Sequence, residues 1–208
     1  PINIINSIIV TSMLNPIKVP EEEDTIAKVG SEGQDADGKR EPFFSFLGDS
    51  ILGAGKLILI IAANVIAFVA LAALIDKILA LFNPWLSLEH ILGIIMFPFA
   101  WLMGLNVHDA FGFAQYMGTK LVTNEFVVMG KISSTINTGA FSAHYRAILT
   151  VFLTSFANFS TTGMIIGCFK GIVDRENSEL ISKNVGYMLL SGILVSLLSA
   201  GIVGLFVW

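Results

Sequence analysis

Residues 185–208 run for 24 positions without a charged side chain, and residues 57–75 add 19 more in which Asn64 is the only strongly polar one. An α-helix crosses the hydrocarbon core of a bilayer in about 20 residues, so each of these segments predicts a transmembrane helix. The glycines and serines of the last run, Gly186, Ser191, Gly192, Ser196, Ser199, Gly201 and Gly204, suit close packing against neighbouring helices. Composition agrees: of 208 residues 54% are hydrophobic and 13% charged, against about a quarter charged in soluble domains. The net charge of −4 and the lack of a basic stripe exclude a nucleic-acid binder. Cys168 is the single cysteine, which excludes an intramolecular disulfide or a cysteine-based zinc cluster and reads as a small apolar helix residue.

The remaining segments follow from local composition. Residues 1–17 are apolar but short for a full span, and they read as the end of a truncated transmembrane helix. Because the chain opens at Pro1 inside an apolar segment, it is read as the C-terminal portion of a longer protein. Residues 18–41 hold eight acidic side chains and no aromatic one, which predicts a polar acidic loop. Residues 42–56 carry Phe43, Phe44, Leu47, Ile51 and Leu52 at helical spacing, as in an interfacial amphipathic helix. A transmembrane helix follows over 57–76. Residues 85–105, with Pro98 inside and Trp85 and Trp101 suited to the headgroup belts, predict another. Lys170, Arg175 and Lys183 crowd the short connection before the final helix over 185–208.

Two segments resist this scheme. Residues 106–142 hold apolar pieces of about ten residues around Gly118, Thr119, Lys120, Thr123, Asn124 and Glu125, which predicts a re-entrant hairpin of two half-helices meeting at a polar tip. Residues 147–169 have the length of a span, but the polar run from Asn158 to Gly163 lies in the middle, which predicts a transmembrane helix unwound near its centre. The fold class is therefore all-α and integral to the membrane: a polytopic helical bundle with a re-entrant hairpin and a centrally unwound helix.

Polar groups at membrane depth face a cavity or a partner. Those near the two breaks are Asn124, Glu125, Asn158, Ser160, Thr161 and Thr162, with Phe156 and Phe159 as stacking surfaces. Hydrogen bonders beside aromatic faces suit a neutral solute with hydroxyls and a flat ring. No metal-cluster set, phosphate loop or nucleophile with a neighbouring base is present in the sequence, so an enzyme is not expected. Simpler roles compete: Glu125 as the ion-pair partner of Lys120, Asn158 as interhelical glue, Lys120 as a snorkelling side chain. Asp109 reads as a solvent-facing first-turn residue of a helix, and His90 and His144 as interfacial residues.

The strings Gly118-Thr119-Lys120-Leu121-Val122-Thr123-Asn124-Glu125-Phe126-Val127 and Phe156-Ala157-Asn158-Phe159-Ser160-Thr161-Thr162-Gly163 closely resemble the signature segments of the concentrative nucleoside transporter family. The resemblance covers almost the whole chain. It implies cation-coupled nucleoside uptake at the cell membrane by a homotrimer whose transport domain moves past a scaffold in an elevator-like motion. It also implies roles for single residues. Glu125 would accept hydrogen bonds from ribose hydroxyls, Asn158 and Thr161 would bind the same sugar with Ser160 as the neighbouring hydroxyl, and Phe156 would contact the base of a uridine-like nucleoside. The resemblance also makes residues 85–105 the scaffold helix near the trimer axis. Apart from the resemblance, Asn124 and Lys120 read as supporting residues, Lys120 either snorkelling or orienting Glu125. No cofactor is implied. The coupling ion, sodium or proton, would be bound mainly by the missing N-terminal half, a partner this segment needs along with the lipid bilayer. The alternative expectation is a membrane-embedded channel or gate-like domain without coupled transport.

Overall fold

The computed structural model describes residues 2–18, 42–169 and 175–208. The acidic stretch 18–41 lies, Lys18 apart, outside them, and so does the side chain of Cys168. The described residues form helices α1 (Ile2–Leu14), α2 (Phe43–Phe82), α3 (Leu88–Leu102), α4 (Val107–Val122), α5 (Glu125–Ile132), α6 (Ala143–Leu153), α7 (Phe159–Phe169), α8 (Arg175–Lys183) and α9 (Val185–Gly204), with no strand among them.

Two helices, α2 and α9, are long and apolar enough to cross a membrane. α2 leaves Ile51, Leu59, Ile66, Leu74 and Leu81 exposed along its length, a surface that suits lipid and not water. The interfacial helix expected over 42–56 and the span expected over 57–76 are one continuous helix of 40 residues, about 60 Å long. Gly48, Gly53 and Gly55 lower helix propensity without removing a hydrogen bond, so nothing in the sequence breaks the ladder before Pro84. Asn83, at φ −155° and ψ 124°, ends the helix in the extended conformation that a following proline imposes.

The other boundaries also differ from the sequence reading. α3 is shorter than the expected 85–105: the Ser87 hydroxyl accepts from the His90 amide at 3.1 Å and starts the helix there, and Gly104 at φ +90° closes its far end. Gly118, Thr119 and Lys120, expected at a hairpin tip, lie in the last part of the 16-residue α4, and the link to α5 narrows to Thr123 and Asn124. Helix α8 forms in what reads as a plain connection. The unwound stretch spans 154–158, one step before the expected centre, and residues 159–163 are helical. His144, expected at a membrane boundary, is buried. Its ring nitrogens lie 2.6 Å from the Val207 carbonyl oxygen and 2.8 Å from that of Met103, and its ring stacks on Trp208.

The core gathers α4, α5, α6 and α9 around Phe113, Met117, Val128, Ile148, Phe152 and Ala200. Phe113 meets Tyr145 edge-on at 5.4 Å and lies 6.1 Å from the Phe152 ring. α3 lies along α4, α1 and α6 pack on α9, and α2 packs on α7. The α3–α4 approach is a backbone contact, because a Cβ on Gly118 would stand 2.5 Å from the Glu89 oxygen and 2.9 Å from the Gly93 nitrogen.

Candidate functional site

Two helix N-termini meet at the site, and an asparagine caps each. Asn124, in the extended conformation, accepts from the Val127 amide at 3.1 Å and starts α5, which makes Glu125 its first residue. Asn158 accepts from the Thr161 amide at 2.7 Å and starts α7 in the same way. Its oxygen also accepts from the Thr161 hydroxyl at 2.9 Å. The Asn158 amide nitrogen is thereby turned outward, and it donates to the Glu125 carboxylate at 2.8 Å. A carboxylate between two helix N-termini sits where the partial positive charge of each is felt.

The structure thus brings Glu125, Asn158 and Thr161 into one hydrogen-bonded chain. Asn158 is 1% exposed and Glu125 is half-buried. Phe156 is 66% exposed on the unwound segment, free to present its ring to a solute. Ser160 is buried with its hydroxyl unpartnered and stands apart from the chain. Lys120 does not pair with Glu125: its ammonium donates to the Phe152 carbonyl at 2.7 Å, and the side chain is fully buried instead of snorkelling. Asp109 is half-buried and closes a reciprocal pair with Asn106 at the start of α4.

A cavity of about 460 Å³ opens beside the break and is lined by Phe156, Asn158 and Thr161 together with Asn3, Ser7 and Ser191. Its volume falls within the range of small-molecule sites. Glu125 is not among its lining residues and connects to it through Asn158. The α1 and α9 contributions escaped the sequence analysis. Asn3, Asn6, Ser7 and Thr11 recur at helical spacing within an apolar segment, the pattern of a polar face, and that signal could have found them. Asn3 donates to the Ser155 hydroxyl at 3.2 Å and Asn6 to the Ser199 hydroxyl at 2.9 Å. No cluster of three or more His, Cys, Asp or Glu side chains able to hold a metal occurs among the described residues.

The family model described as Na+ dependent nucleoside transporter C-terminus matches residues 1–204. The chain is 46% identical over 208 residues to the purine nucleoside transport protein NupG of Bacillus subtilis (strain 168), covering 100% of this chain and 50% of that one. It is 32% identical over 168 residues to sodium/nucleoside cotransporter 1 of Mus musculus, covering 72% of this chain and 26% of the other. The structure of CNTnw in an inward-facing substrate-bound state is similar with a TM-score of 0.72 at 26% identity, over 94% of this chain and 46% of that one. The chain spans about half the length of the bacterial relative or less of the others.

Proposed function

We propose, because the chain belongs to the Na+-dependent nucleoside transporter family, that it is the C-terminal half of a cation-coupled nucleoside symporter and supplies the sugar-facing part of the substrate site. Members of this family are membrane transporters, not enzymes. The observation that carries the reading is the 2.8 Å bond between Asn158 and Glu125. It presents a carboxylate and an amide, on two different helix starts, to the same point.

A nucleoside entering there would place vicinal ribose hydroxyls against the Glu125 carboxylate, with Asn158 and Thr161 beside it and Phe156 against the base. Charge-assisted hydrogen bonds to a carboxylate are stronger than neutral ones. A site built around such bonds rejects an analogue without the hydroxyls, because its own polar groups are left unpaired. The name of the bacterial relative makes purine nucleosides candidates beside uridine, and that of the mouse relative favours sodium over the proton as coupling ion. Assembly as a homotrimer in the cell membrane, with α3 near the trimer axis, belongs to the same proposal. So does the division into scaffold and hairpin segments.

The test is uptake of labelled uridine and of a labelled purine nucleoside into proteoliposomes holding the intact transporter. Uptake above equilibrium should collapse when the sodium or proton gradient is abolished. Uptake that only ever reaches the passive level would favour a channel or gate-like domain. At the site, Glu125→Gln and Asn158→Ala should each weaken nucleoside binding, and unchanged affinity in both removes the assignment.

A further inference from the structure

Unwinding a helix inside a membrane strips its last carbonyls of their amide partners, and lipid offers no substitute. Side chains replace them at the end of α6. The Val151 carbonyl accepts from the hydroxyls of Thr154 at 3.0 Å and Ser155 at 3.3 Å, both from the break itself. The Phe152 carbonyl accepts from Lys120 at 2.7 Å, and Lys120 comes from the other motif, on α4. The ammonium also lies 4.3 Å from the centroid of the Phe152 ring and at the negative end of the α6 dipole, so ring and helix end both favour the charge.

Lys120 stands one helical turn before Asn124, and Phe152 six residues before Asn158. The two bonds, Lys120 to Phe152 and Asn158 to Glu125, therefore join the segment 118–127 to the two sides of the break between α6 and α7. A second bond at a separate point leaves the two segments, already packed in one core, only rotation about the line joining the bonds. Lys120 is fully buried and does not line the cavity, so it has no route to solute.

From this bracket we propose that Lys120 is a positioning residue for nucleoside binding: by capping the broken end of α6 it sets the register in which Glu125 and Asn158 face the ribose. The inference rests on the sugar-facing role given to those two residues above.

The discriminating measurement is equilibrium binding, to the purified intact transporter, of a ribonucleoside and of its 2′,3′-dideoxy analogue. The wild type should favour the ribonucleoside. In Lys120→Met the ratio should fall about ten-fold, the change expected when one such hydrogen-bonding arrangement is lost, with the affinity for the dideoxy analogue little changed. Lys120→Arg, which keeps a charged donor, should retain most of the ratio. A variant that is merely less stable would lose both ligands alike. If Lys120→Met is not recovered folded, Lys120→Gln serves instead: it keeps a donor that falls short of the Phe152 carbonyl and should show the same collapse. An unchanged ratio in the folded variant overturns the proposal. Glu125→Gln is the control for the underlying reading. If it too leaves the ratio unchanged, the sugar-facing role fails; if it alone collapses the ratio, only the Lys120 inference fails.

Discussion

The amide nitrogen of Asn158 lies 2.8 Å from a carboxylate oxygen of Glu125, across 33 residues of sequence. Because the Asn158 oxygen is committed to the start of α7, the side chain cannot flip without breaking the cap. The donor is therefore held toward Glu125 by the fold, and the geometry carries a direct prediction.

Asn158→Asp keeps an oxygen for the Thr161 amide but replaces the donor with a second carboxylate oxygen. Two carboxylates at that separation do not both ionise freely. Nucleoside affinity, read by equilibrium binding to the intact transporter, should fall further than in Asn158→Ala, by about ten-fold. Equal affinity for the two variants would show that the Asn158 to Glu125 bond does not shape the site.

Gly118 and Gly163 should respond unequally to alanine. At Gly118 the added carbon meets backbone atoms at 2.5 and 2.9 Å, which cannot move without separating α3 from α4. At Gly163 it meets the Asn64 side-chain oxygen and the Phe68 ring, each at 2.6 Å, and those can rotate away. Gly118→Ala should cost about 1–3 kcal/mol and Gly163→Ala less, read as thermal unfolding midpoints in detergent. A larger loss at Gly163 would contradict the packing described.

The buried bond from Asn6 to the Ser199 hydroxyl ties α1 to α9. Such bonds in membranes average about 0.6 kcal/mol and reach about 1.7. A double-mutant cycle of Asn6→Ala and Ser199→Ala should give a coupling energy in that range. A value of zero would mean that the two helices are held by apolar packing alone.

Lys131 and Glu89 approach at 3.5 Å between α5 and α3, with their side chains 51% and 29% exposed. Exposed ion pairs contribute about 0–1 kcal/mol and are screened by salt. Lys131→Ala should therefore shift the unfolding midpoint by little, and the shift should vanish at high salt. A large, salt-independent loss would show a role beyond the ion pair.

The uncharged runs over 57–75 and 185–208 determine helices by themselves, since burying a backbone in lipid requires local hydrogen bonding. The presence of two polar interruptions was equally legible, because Asn124, Glu125 and Asn158 stand out in apolar surroundings. Where the breaks fall was not. Asparagine and threonine serve as well in an unwound segment as at a helix start, and only the bonds from Thr161 to Asn158 show that residues 159–163 begin α7 instead of interrupting it. The continuity of α2 past residue 56 was hidden for a related reason, since local periodicity does not say whether two helical segments share an axis. The partners of the charged groups were decided by tertiary structure alone. Lys120 and Glu125 are five residues apart and invite pairing, yet each is joined to a residue more than thirty positions away. The broken helix offers Lys120 a carbonyl with no other partner and offers Glu125 an amide already aimed by its cap.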